Sequence, residues 1–133
     1  EKSGGGSIVN LASMAAKQGS GSYGSAYSFS RGGMHNFTMS SALQLSQLGI
    51  RVNTIMPGWV HTPFTDYLYS DPEQSKYRTD RVPLRRWGKP DDIAGGILFL
   101  ASEDASYMTG AELLMDGGVS AGSVRPANPK ASE

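Results

Sequence analysis

Residues 26–58 read AYSFSRGGMHNFTMSSALQLSQLGIRVNTIMPG, and this stretch decides the fold. Ala26 to Leu48 is long enough for six helical turns, and Gly49 stands where a left-handed residue commonly ends a helix. Arg31 is its only charged residue, and between Gly32 and Ile50 there is no Asp, Glu, Lys or Arg. Apolar positions fall in two sets: Met34, Phe37, Leu45 and Leu48, and Met39, Ala42 and Leu43. A helix of this kind is expected to be covered on two sides, by its own sheet and by a partner. Ile50 to Met56 follows as a β-branched strand stopped by Pro57-Gly58. Upstream, Ser7-Ile8-Val9-Asn10-Leu11 reads as another short, uncharged strand. Strand, helix and strand in this order form a crossover, which implies parallel pairing.

Working outward, Gly4 to Ser7 reads as a flexible lead-in and residues 19–25 as a Gly/Ser loop. Residues 59–89 change character. Asp66, Asp71, Glu73, Lys76, Arg78, Asp80, Arg81, Arg85, Arg86 and Lys89 crowd beside Trp59, Phe64, Tyr67, Tyr69, Tyr77 and Trp87. A mobile excursion with one or two short helices is expected there, with Arg81, Arg85 and Arg86 read as a solvated basic stretch rather than a site for an acidic substrate. Pro90-Asp91-Asp92 opens a further helix, with proline at its first position and acids in its first turn, running to Ser102. Ala111 to Met115 is a third strand. Residues 1–118 are thus read as an α/β unit and residues 119–133, rich in Ala, Ser, Pro and Gly, as a disordered tail.

Composition narrows the function. Twelve Lys plus Arg balance 12 Asp plus Glu in the 133 residues, which gives no electrostatic reason for a nucleic-acid partner. Cysteine is absent, so disulfides, thiolate catalysis and Cys-based zinc sites are excluded. His35 and His61 are the only histidines, with no carboxylates at a regular metal-ligand spacing, so no metal site is expected. No apolar run approaches the ~20 residues of a membrane span. No basic-then-apolar leader pattern occurs, and a cytoplasmic protein is expected. The first residue is Glu1 and the first strand begins almost at once, as in a chain cut from a longer one.

Tyr27 and Arg31 stand four apart and share a helix face. A fixed cation beside a phenol favours the phenolate and suits a group that exchanges a proton near neutral pH. Ser13 lies just past the first strand, at the carboxyl edge of a parallel sheet, where ligands bind. Its hydroxyl there suits a carbonyl or alcohol oxygen. The same spacing is equally that of a surface pair and a turn serine.

Asn10-Leu11-Ala12-Ser13, Tyr27-Ser28-Phe29-Ser30-Arg31-Gly32-Gly33 and Gly49 to Pro63, with its Pro57-Gly58-Trp59-Val60-His61-Thr62-Pro63 ending, resemble the classical short-chain dehydrogenases/reductases. Trp87 to Ala94, Tyr107-Met108-Thr109-Gly110 and Met115-Asp116-Gly117-Gly118 are similar to later segments of the same family. The resemblance implies a partial Rossmann-like, doubly wound parallel sheet, namely the last three strands and their helices. It implies a catalytic set of Ser13, Tyr27 and Arg31, with Tyr27 as general acid/base and Ser13 on the substrate oxygen. Arg31 stands where the family has a lysine. It implies NAD or NADP as cofactor, bound by Tyr27, Arg31, Pro57, Gly58, Val60 and Thr62. A small carbonyl or alcohol is the implied substrate, and residues 59–89 are the implied substrate lid.

The Gly-rich strand-to-helix turn that receives a pyrophosphate is not among these segments. A cofactor-binding half supplied from elsewhere, or a second copy of the chain, is therefore expected. The uncharged helix resembles one that packs across a dimer axis, so a homo-oligomer is implied. Two functions remain open: an NAD(P)-dependent oxidoreductase, or a catalytically silent half-domain that self-associates.

Overall fold

The computed structural model describes residues 4–18 and 24–122. Three parallel strands, β1 (Gly6–Leu11), β2 (Ile50–Pro57) and β3 (Glu112–Met115), form one sheet in that order. The register runs from Gly6 opposite Ile50 to Leu11 opposite Ile55, and from Thr54 opposite Glu112 to Pro57 opposite Met115. All three carboxyl ends therefore lie along one edge of the sheet. The helices are α1 (Ser25–Leu45), α2 (Asp66–Tyr69), α3 (Pro72–Thr79) and α4 (Pro90–Ala101).

Strand alternation sorts the side chains between two helical layers. Val9, Ile55, Leu113 and Met115 pack with Ile93 and Leu100 of α4 in the apolar core. Gly96 brings α4 close to the sheet: a Cβ there would lie 2.4 Å from the Met115 sulfur and 3.0 Å from Ile55 Cδ1. Asn10 faces the other way, donating from Nδ2 to Thr38 Oγ1 of α1 at 2.9 Å. Asn53, fully buried, donates to the Met108 carbonyl and accepts from the Ala111 amide, tying β2 to the turn that leads into β3.

The sequence-based boundaries hold with three corrections. The helix expected to reach Leu48 ends at Leu45, and residues Ser46–Leu48 tighten into a 3-10 turn before Gly49 at φ 68°. Gly4 to Ser7 is more than a lead-in, because Gly6 starts β1 and Gly5 packs on the Gly49 carbonyl, where a Cβ would sit at 2.7 Å. Past Gly118 the chain is ordered by Asp116, whose carboxylate accepts from the Gly118 and Ser120 amides at 2.9 and 2.7 Å, and Val119–Ala121 forms a 3-10 turn. The rest of the expected tail, 123–133, and the Gly/Ser loop at 19–23 lie outside the described residues.

The α1 helix buries Thr38, Ser41 and Ala42 against the sheet, while Phe29 and Leu43 are 83% and 80% exposed. Among the described residues it is covered on one side only. Its small polar residues face inward, because Thr38 finds Asn10 and the Met34 carbonyl there, and its largest apolar residues face outward. That is why no single stripe is visible in the sequence.

The excursion after β2 holds two helices, as expected, and Arg81, Arg85 and Arg86 are exposed, as expected of a solvated stretch, whereas Arg78 is not. Arg78 is 4% exposed, with Nη1 donating to the Gln74 carbonyl and Oε1, and its guanidinium lies 4.5 Å from the Trp59 ring centre. Amide acceptors and an aromatic face replace water around that cation. Arg81 lies over Tyr77, and Arg85 donates to the Asp80 carbonyl. The aromatic residues pack on one another: Trp59 on Trp87, Tyr69 edge-on to Trp87, and His61 stacked on Tyr69 at 3.7 Å.

Arg86 holds Asp92 through both oxygens, at 2.6 and 2.9 Å, and the Lys89 amide adds a bond at 2.7 Å. These contacts hold the Asp92 carboxyl at about 2. Its folded value lies below its unfolded one, so its contribution to stability is full above pH ~4 and is lost as pH falls toward 2. Asp116 acts in the same direction: burial pushes it up, but hydrogen bonds from residues 118–120 outweigh that and hold it low. Thermal melts between pH 5 and pH 2 are expected to show a steep loss that is shallower in Asp92→Asn. An identical slope in parent and variant would remove Asp92 from the acid response.

Candidate active site

The carboxyl edge of the sheet is where the sequence-derived site residues gather. Leu11 ends β1, and the Ala12 amide still donates to the Ile55 carbonyl at 2.9 Å. Ser13 then leaves the sheet in extended conformation and caps the 3-10 turn Met14–Ala16, its Oγ accepting the Ala15 amide at 3.2 Å. Its residue is 8% exposed. The hydroxyl is thus a turn cap at the mouth of the sheet, and its own proton remains available for a separate acceptor.

Tyr27 and Arg31 sit on the first turns of α1, whose N-cap is Gly24 without a side-chain cap. The Arg31 guanidinium carbon lies 4.9 Å from the centre of the Tyr27 ring. Arg31 Nη1 donates to the Leu11 carbonyl at 3.3 Å, and Nε is buried with no hydrogen-bond partner among the described residues. The arginine therefore ties the first turns of α1 to the end of β1, two residues before Ser13. The shared face expected from the spacing of four is present, in the form of a cation stacked over a phenol.

Pro57, Gly58, Val60 and Thr62 follow from the end of β2, on the same edge. The Gly58 amide donates to the Met115 carbonyl at 3.0 Å, and Gly58 passes so close to Asp116 that a Cβ would meet its Cα at 2.6 Å. Val60 bridges to Gly88, and the His61 amide donates to the Gly88 carbonyl. Thr65 shapes the turn: its Oγ1 donates to the Val60 carbonyl at 2.6 Å and accepts the Thr62 amide at 2.9 Å. His61 Nε2 meets Asp66 Oδ1 at 2.9 Å, and that bond holds the Asp66 carboxyl below its ordinary value. Thr65 escaped the sequence reading, and Asp116 entered it only as part of a family-like segment, with no role. Thr62-Pro63-Phe64-Thr65 was the available signal for the first, a hydroxyl three residues past a turn. Asp116-Gly117-Gly118 was the signal for the second, an aspartate whose carboxylate accepts from amides two and four residues on.

A cleft of about 500 Å³ opens beside this edge, lined by Trp59, Val82, Leu84, Arg86, Ile93 and Asp116 among others. Ser13, Tyr27 and Arg31 are not in its walls. A second depression, at Gly4, Gly49, Arg51 and Thr109, lies at the opposite ends of the strands. Among the described residues the side of the site along β1 is open, with Leu11 52% and Ile8 41% exposed. Among the described residues no group of three His, Cys, Asp or Glu is placed to hold a metal ion, and no helix is long and apolar enough to cross a membrane. His35 and His61 each pair with one carboxylate, Glu112 and Asp66.

A phenol, a hydroxyl and a guanidinium at the carboxyl edge of parallel strands can bind and protonate an oxygen. Comparison with known proteins gives this arrangement a context. A family model described as Enoyl-(Acyl carrier protein) reductase matches residues 1–120. L-rhamnose 1-dehydrogenase (NAD(P)(+)) of Sphingomonas sp. is 44% identical over 115 residues, which cover 86% of this chain and 45% of that protein. Human dehydrogenase/reductase SDR family member 4 is 40% identical over 118 residues, 89% of this chain and 42% of that protein. The solved gluconate 5-dehydrogenase of Burkholderia cenocepacia, in complex with NADP and tartrate, superposes with a TM-score of 0.86 at 27% identity, covering 91% of this chain and 47% of that one. The chain spans about half the length of the curated relatives it matches.

Proposed function

Because the chain belongs to the short-chain dehydrogenase/reductase family, we propose that it forms the catalytic half of an NAD(P)-dependent oxidoreductase acting on a small alcohol or carbonyl compound. The observation that carries this reading is Arg31, stacked over Tyr27 and bonded to the Leu11 carbonyl at the mouth of β1. Tyr27 Oη gives the proton to a carbonyl oxygen in reduction and takes it from the alcohol in oxidation. Ser13 Oγ donates to the same oxygen while accepting the Ala15 amide. Arg31 keeps a permanent positive charge beside the phenol, in the place of the family lysine.

The residues present suit the nicotinamide end of the cofactor, which supplies the hydride acceptor or donor when bound. Arg31 Nε, buried and unpartnered among the described residues, is a donor that a ligand oxygen would satisfy. Pro57, Gly58, Val60 and Thr62 form the turn against which the ring would rest. The cofactor's remaining half and the wall along β1 come from a further segment or a second copy. The naming of L-rhamnose and gluconate among relatives makes polyhydroxylated sugars and sugar acids the first substrates to try.

One observation favours a second reading, a silent half-domain that self-associates: the exposed Phe29, Phe37 and Leu43 on α1 beside the open β1 edge. Titration of the chain with NADH and NADPH, followed by cofactor fluorescence, separates the two. Saturable binding below about 1 mM is expected, the range of ordinary substrate affinities. No saturation up to that concentration means that the chain alone is not a dehydrogenase, and the same titration then moves to the chain completed by a cofactor-binding half, where absence of saturation overturns the enzymatic reading.

A further inference from the structure

We infer that Glu112 is a positioning residue: its one carboxylate fixes the two segments that carry Ser13 and the Tyr27–Arg31 pair. This rests on the reading that those three residues act together. Glu112 opens β3 opposite Thr54 and sends its side chain to the α1 face of the sheet. There it meets two nitrogens from distant parts of the chain. Lys17 Nζ contacts Oε2, and His35 Nε2 lies 3.0 Å from Oε1.

Each partner stands at a telling place. Lys17 is the C-cap of the 3-10 turn whose N-cap is Ser13, and its amide donates to the Met14 carbonyl at 3.0 Å. The serine turn is therefore held at one end by β1 and at the other by Glu112. His35 lies one helical turn beyond Arg31 and two beyond Tyr27, so the three share a face of α1. That face is pinned twice, by Arg31 to the Leu11 carbonyl of β1 and by His35 to Glu112 of β3. The span between the two anchors crosses β2. The Glu112 and His35 side chains are only 23% and 19% exposed. The contact with His35 is mostly shielded from water while Lys17 is 46% exposed, so the histidine pair is the less screened of the two. Reactions that depend on near-attack geometry are sensitive to displacements on the order of 1 Å, so a clamp joining the hydroxyl to the phenol helix acts on turnover and leaves the chemical groups themselves untouched.

Amide hydrogen exchange in the 133-residue chain tests this without requiring turnover. Glu112→Gln keeps the shape and loses the charge. Exchange at the Ala15, Ala16 and Lys17 amides is expected to rise about tenfold, while Val52 and Ile55 in β2 stay at the parental rate. His35→Leu should loosen α1 around Arg31 in the same way. His35→Gln, which keeps a donor near the Nε2 position, should restore parental exchange. Unchanged exchange at residues 15–17 in Glu112→Gln overturns the inference, as does a uniform acceleration in which β2 follows. If Glu112→Gln fails to fold, Lys17→Met replaces it, since it alters a side chain that is 46% exposed. The same three amides should then exchange faster, and parental rates there overturn the inference equally. Where cofactor-dependent turnover is measurable, kcat should fall with KM unchanged. Absence of turnover in the parent bears on the oxidoreductase reading alone, because exchange decides the clamp independently.

Discussion

Tyr27→Phe is expected to cut turnover about a thousandfold while leaving the fold intact. The substitution removes one hydroxyl from a ring that stays under the Arg31 guanidinium, 4.9 Å from the ring centre in the parent. The apolar body of the side chain and its stacking on Arg31 survive. What disappears is the group that gives or takes the proton at the substrate oxygen. General acid–base groups contribute roughly 10²–10⁴-fold to rate, so kcat on the best sugar or sugar-acid substrate should fall by about three orders of magnitude. Binding of NADH or NADPH should weaken much less. The companion Arg31→Lys variant, which restores the residue found in the family, should retain or raise activity, because a positive charge stays four residues from the phenol. Turnover unchanged in Tyr27→Phe would remove the tyrosine from the chemistry. Loss of all activity in Arg31→Lys would show that the guanidinium does something an ammonium cannot, with its bond to the Leu11 carbonyl the first suspect.

Gly58→Ala is expected to cause the largest loss of stability from a single added methyl group. The new Cβ would lie 2.6 Å from Asp116 Cα, 2.7 Å from Asp116 Cβ and 3.0 Å from the Asp116 carbonyl oxygen. Two of those three atoms are backbone, so no rotamer change relieves the contact. The ends of β2 and β3 must separate, which threatens the bond from the Gly58 amide to the Met115 carbonyl. It also threatens the turn after β3, where Gly117 and Gly118 lie against Val82 and Pro83. Overpacking of this kind costs about 2–3 kcal/mol, or roughly 8–12 °C in Tm at ~4 °C per kcal/mol for a chain of this size. Gly95→Ala is the control. Gly95 lies on the exposed side of α4, where a Cβ finds nothing within 4 Å, and helix propensity predicts a gain of up to ~1 kcal/mol. A Gly58→Ala chain as stable as the parent would mean that the Asp116 turn adapts freely, and the close approach would then have no role in holding the site's edge.

Much of the architecture was legible in the amino-acid sequence because it is set locally. Runs such as Ser7–Leu11 and Ile50–Met56, the proline and acids at 90–92, and Gly49 as a stop each act through propensities and hydrogen bonds spanning a few residues. They sufficed for the strands, their parallel pairing and the helix between the first two. The identity of Ser13, Tyr27 and Arg31 as candidates was legible too, through motif and spacing, and two of them share a face for the simple reason that they stand four apart. Tertiary structure decided the rest. Arg78 is only one of the charges crowded into residues 59–89 until Trp59 arrives over its guanidinium. Thr38 and Ser41 lie outside both apolar sets of α1, and it is Asn10 that draws them onto the sheet. Lys17, His35 and Glu112 have no spacing that announces them, and they meet only because β3 lies beside β2 at the level where the chain leaves β1. Backbone geometry is a property of neighbours in sequence. Ion pairs, buried cations and contacts at a glycine are properties of neighbours in space, and those exist only once the sheet has fixed which distant residues meet.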